Sequence, residues 1–131
     1  MATYPAKDDP NIDGTFSWQN KVNLQHWLKA RGAYASNRDC DGVWGYWTTL
    51  GIQQYLRWQK FPDGTRFYEG QLDGELGPMT KSAMGDAAGY LFGITGKPNY
   101  MYGKCAGYSC TIGWADANVV KTWQQWLNYN T

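Results

Sequence analysis

The sequence predicts a mainly α fold of four turn–helix pseudo-repeats. They are expected to pack as two pairs, with short strands or hairpins in the turns and connectors. Three observations predict it. A tight turn ending in glycine recurs at Asp13-Gly14, Asp41-Gly42, Asp73-Gly74 and Ile112-Gly113. Apolar residues then follow at helical spacing, i, i+3 and i+4, as in Leu24, Trp27 and Leu28. The copies also stay in register: Ile52, Tyr55 and Leu56 stand where the first copy has those three.

Residues 1–12 are polar and carry Pro5, Pro10 and Asp8-Asp9, which reads as a flexible lead-in or linker. Residues 13–131 read as a single domain, with repeats near 13–32, 41–58, 73–92 and 112–128. In the first repeat Ser17 is a good N-cap, the helix runs from about Trp18 to about Lys29, and Arg31-Gly32 ends it. In the second, Gly45 replaces the serine and the helix reaches Trp58. Pro62-Asp63-Gly64 then predicts a hairpin or tight loop within the connector Gln59–Gly70. In the third, Pro78 takes a first-turn position. Its Tyr90-Leu91 falls three residues late, so either the helix is a turn longer or its Gly and Ala residues admit a close neighbour. The connector 93–111 reads as irregular, with one short hairpin. In the fourth, Asp116 caps a helix carrying Val119, Val120, Trp123, Trp126 and Leu127.

Composition narrows the function. The chain has 131 residues and a net charge of +1, which argues for neither nucleic acid nor an anionic membrane as partner. No apolar run approaches the roughly 18 residues of a membrane helix, and the first residues contain no secretory core. There are 8 Trp, 10 Tyr and 4 Phe, enough to serve both a core and a stacking surface. The single histidine, His26, and the lack of a Cys-x-x-Cys pair leave no zinc ligand set, and no phosphate loop is present. No cofactor is therefore expected.

The turn glycine occurs in all four copies and the aspartate in three, so Asp13, Asp41 and Asp73 read as turn formers rather than catalytic groups. Trp44, with Phe16 and Leu76 at equivalent places, reads as core. Cys40 stands where other copies have Ile12 and Leu72, which suggests a buried small hydrophobe. Cys105 and Cys110 flank a turn-like Ala-Gly-Tyr-Ser that brings them within disulfide reach in an oxidising setting; joined and free forms both remain open. Ligand candidates are the features the copies do not share: Trp47 and the connector aromatics Phe61, Phe67, Tyr68, Tyr100, Tyr102 and Tyr108. Gln53 belongs to a row with Gln25 and Gln124 that serves either a neighbouring turn or a ligand.

The stretch Asp41-Gly42-Val43-Trp44-Gly45, with Thr48-Thr49 and Ile52-Gln53-Gln54-Tyr55-Leu56, resembles the peptidoglycan-binding repeats at the C-termini of endolysins from actinobacterial phages. Asp73-Gly74-Glu75-Leu76-Gly77-Pro78 and Leu24-Gln25-His26-Trp27-Leu28 support the resemblance, which covers roughly residues 12–130. It implies non-catalytic attachment to bacterial cell wall, peptidoglycan or a linked glycan, by a domain fused to a separate lytic domain. It further implies synthesis in the host cytoplasm without a signal peptide and action at the wall. Two rival readings are a small muramidase- or amidase-like enzyme and a phage protein-interaction module.

Overall fold

The computed structural model describes residues 3–106, 109–110 and 112–130. It is mainly helical, with α1 (Trp18–Ala30), α2 (Tyr46–Trp58), α3 (Pro78–Ala87) and α4 (Ala117–Asn130). One hairpin pairs β1 (Cys105–Ala106) with β2 (Ser109–Cys110). Each helix begins a few residues after its turn glycine. Ser17 caps α1 by accepting the Asn20 N–H, while the Asn20 side chain accepts the Ser17 N–H. Gly45 and Gly77 precede α2 and α3 without side-chain caps, and Pro78 sits in the first turn of α3. Asp116 accepts the Asn118 N–H at the start of α4.

The late Tyr90-Leu91 has two causes. α3 runs on into a π-helical turn, Ala88–Phe92, and a short 3-10 turn, Gly93–Thr95. Its glycines also admit close neighbours. A β-carbon on Gly85 would lie 2.0 Å from the Ile112 carbonyl oxygen, and one on Gly89 2.0 Å from Cys105 Sγ. Cys105 and Cys110 are joined by a disulfide, and Cys40 is free and buried.

The core is built on Trp27 and Trp123, both fully buried, with Phe92, Leu24, Leu28, Ile52, Leu56, Met84 and Leu127. Trp27 meets Tyr55, Phe92 and Trp123 edge to face. α1 packs on α2 and α4, α2 packs on α3, and the π turn packs on α4. These contacts follow chain order and close from the last helix to the first; the expected grouping into two pairs is not confirmed.

Three buried glutamines fasten the turns. Gln25 Oε1 accepts the Gly42 N–H while its amide donates to Val43 O and Thr48 Oγ1. Gln53 does the same to Gly74, Glu75 and Thr80. Gln124 does it to Gly14, Thr15 and Asn20. α1 and α2 thus each clamp the turn of the next unit, and α4 clamps the first. In the third unit the glutamine position is Gly85, and the turn Ile112-Gly113 packs straight onto it, with the Trp114 N–H donating to Lys81 O. A second contact seats two of the turn glycines, both in the left-handed region. A β-carbon on Gly42 (φ 77) would strike the Trp18 ring, and one on Gly74 (φ 71) the Tyr46 ring.

Residues 3–12, expected as a flexible lead-in, are hydrogen-bonded to the helices. The Lys7 N–H and C=O pair with the Asn23 side chain, and those of Asp9 with Asn128.

Candidate functional site

The sequence-derived ligand residues do not share one surface. Phe61, Phe67 and Tyr68 are buried, with Phe61 and Phe67 stacked at 4.1 Å between ring centroids. They cover the core and present no stacking face to solvent. Gln53 is fully buried and its hydrogen bonds go to the third turn and to the Tyr68 hydroxyl, so of its two expected uses the structural one is occupied. Tyr108 lies outside the described residues. Tyr102 is 86% exposed, and Tyr100 is half-buried beneath Lys121. Trp47 is exposed at the start of α2.

Around Trp47 the fold gathers residues that sequence reasoning missed. Ile52, Tyr55 and Leu56 turn one stripe of α2 into the core. The opposite stripe is Trp47, Leu50, Gln54 and Trp58, at spacing i, i+3, i+7 and i+11. Tyr46, Gly32, Ala33, Ala35 and Leu72 complete a cleft of about 530 Å³. Its exposed rings are large: Trp58 is 48% exposed and Tyr46 52%. Eleven residues along a helix span about 16 Å at ~1.5 Å each, so Trp47 and Trp58 mark the ends of an elongated platform. The periodic outer stripe was the signal that would have located it.

Trp47 also forms one wall of a second hollow of about 250 Å³, whose lining includes Tyr34, Arg38, Asp39, Asp41, Val43 and Tyr46. The Arg38 guanidinium lies 4.5 Å from the Trp47 ring centroid, a cation–π contact that holds the ring. The loop carrying Arg38 is itself anchored: Tyr34 OH donates to Asp39 O, and Lys29 Nζ to Arg38 O.

The half-buried rings Phe16, Trp44 and Trp114 form a separate cluster with centroids 5.1–5.9 Å apart. Trp44 also donates to Thr49 Oγ1. This group packs against the core and supports the turns.

The acidic groups serve the backbone. Asp13 is held below the usual carboxylate range, first by the Thr15 N–H and then by the Gln124 amide. Asp73 is lowered first by the Gln53 amide and then by the Glu75 N–H. Asp86 is shifted upward by burial, against the lowering effect of the Cys110 N–H. His26 is on α1 with Nε2 against the Tyr4 carbonyl at 2.6 Å. Among the described residues no three His, Cys, Asp or Glu side chains converge in a metal-binding group. No helix among them is long and apolar enough to cross a membrane. Comparison of the chain with protein-family models, with curated proteins and with solved structures finds no match to any of them.

Proposed function

We propose that the domain binds bacterial cell wall without catalysis and carries an attached lytic domain to its substrate. We also propose that its four units are copies of one turn–helix module arranged in a ring. The observation that carries the binding reading is the exposed aromatic platform of Trp47, Trp58 and Tyr46 in the α2 cleft. Large exposed apolar groups gathered in one place commonly serve contacts. Rings carried at helix positions about 16 Å apart along the axis suit an extended, repetitive polymer more than a compact metabolite. A wall offers many copies of a weak ligand, so a shallow cleft of modest affinity is effective through avidity. Tyr102 and Tyr100 lie on the other connector and are not part of this cleft. Phe61, Phe67, Tyr68 and Gln53 drop out of the binding surface.

The test is sedimentation with purified actinobacterial walls. Wild-type protein is expected in the pellet, while Trp47→Ala and Trp58→Ala stay largely in solution with unchanged melting curves. Protein that stays soluble with every wall tested would remove the reading. Release of reducing sugar or free amino groups from the walls would replace it with an enzymatic one.

A further inference from the structure

Gln54, on the platform stripe, has counterparts in the other units: His26, Asp86 and Gln125. Each counterpart meets main chain from a non-helical segment of the protein itself. His26 Nε2 is 2.6 Å from Tyr4 O, Asp86 accepts the Cys110 N–H at 2.9 Å, and Gln125 Nε2 donates to Pro98 O at 3.2 Å. In three of the four units this position is therefore already bonded to the chain's own backbone. The α1 groove shows the arrangement most fully. The Tyr4 N–H donates to Cys40 O, and Cys40 stands where the α2 cleft has Leu72. Gln19, at the Trp47 position, donates to Pro5 O. In the second unit the same space is the open cleft, and Gln54 makes no hydrogen bond to another described residue.

We propose that the α2 cleft takes an extended peptide, with Gln54 bonding its main chain and Trp47, Trp58 and Leu72 packing its side chains. In a cell wall that component is the stem peptide, not the glycan. This rests on the wall-binding reading above and names the part of the polymer that is bound. Own-chain precedent points to the chemistry, because the same register positions already bond main chain from non-helical segments in the three other units. Arg38 lies at the Trp47 end of the cleft, with no ion-pair partner among the described residues, where it can meet a peptide carboxylate. Asp39 and Asp41 share that hollow, but one oxygen of each already accepts a hydrogen bond, from Thr3 Oγ1 and the Val43 N–H.

The experiment uses the full chain and three probes: whole actinobacterial walls, stem peptides released from them by an amidase, and the peptide-free glycan strands left behind. Walls are expected to sediment the protein. The soluble peptide should displace it and shift the Gln54 side-chain amide resonances in a nitrogen–proton correlation spectrum, while the glycan strands do neither. Gln54→Leu should keep the wild-type melting curve and lose about five- to tenfold in peptide affinity, the worth of one neutral hydrogen bond. Trp58→Ala should weaken the same binding through lost packing. Displacement by glycan and not by peptide overturns the peptide assignment while leaving wall binding intact. Peptide binding that ignores Gln54→Leu and leaves its resonances unmoved overturns the site. Failure to sediment with any wall overturns both readings.

Discussion

Gln53 and Gln54 are adjacent, chemically identical and placed in opposite environments, so truncating each in turn isolates the clamp. Gln53 Oε1 takes the Gly74 N–H at 3.0 Å. Its two amide protons are divided among Glu75 O, Asp73 Oδ1, Thr80 Oγ1 and Tyr68 OH at 3.0–3.2 Å. Gln53→Ala strands the Gly74 N–H and leaves a void at a fully buried site, while the Glu75 carbonyl keeps the Gly77 N–H. An unsatisfied buried polar group costs about 1–3 kcal/mol. With one stranded N–H and the void left by the side chain, the expected loss is about 2–3 kcal/mol. That is a large share of a domain stability of about 5–15 kcal/mol. Gln54→Ala removes a half-buried side chain that bonds no other described residue, and should change stability by less than about 0.5–1 kcal/mol. Urea unfolding followed by tryptophan fluorescence measures both. Equal losses for the two variants, or a loss below about 1 kcal/mol for Gln53→Ala, would refute the claim that the clamp holds the turn.

The remaining predictions concern the turns, one acid and the aromatic rings. Gly42→Ala meets both a positive φ and the Trp18 ring and should cost about 2–4 kcal/mol, while Gly32→Ala (φ 75, open space) should cost about 1–2 kcal/mol; equal values in urea unfolding would dismiss the ring contact. Asp86 has its folded pKa raised by burial, so its contribution is fully present below the unfolded value and is lost as pH rises through the folded one. Asp86→Asn should therefore compare more favourably with wild type at pH 7 than at pH 3, and the opposite trend across a pH series of unfolding curves would refute the assignment. Trp44→Ala should cost about 3 kcal/mol by opening the Phe16–Trp44–Trp114 cluster. Trp47→Ala, on the outer stripe, should cost under about 1 kcal/mol by the same measurement, and a larger loss would assign Trp47 to the core.

The turn glycines and helix starts were legible because they rest on local backbone chemistry. Gly14, Gly42 and Gly74 have positive φ, Ser17 caps, and Pro78 opens a helix, all decided within a few residues. The glutamine row was legible only as two alternatives, since its partners lie 15–27 residues away or, for Gln124, at the far end of the chain. The connector aromatics misled for a physical reason. Aliphatic residues are scarce here, so Phe61, Phe67 and Tyr68 are drawn inward to complete the core, and being unrepeated did not mark them as exposed. The α2 platform was hidden differently. Tyr46 and Trp58 belong to the same helix as the core stripe, and the outer periodicity shows only once Ile52, Tyr55 and Leu56 are set aside as the buried face. The π turn after α3 follows from how Gly85 and Gly89 meet the last turn and the disulfide, a matter of tertiary contact.

The bond from Gln124 to Gly14 joins residues 110 apart and links the last helix to the first turn. An open solenoid grows by adding units and leaves an exposed face at each end; the ring proposed above has neither freedom. Its last closing contact forms only once α4 has been made, so a nascent chain carrying the first three units holds a turn whose N–H and C=O have no clamp. Folding of the first unit therefore waits on the last, and a truncation before residue 117 should cost far more cooperativity than one quarter of the fold.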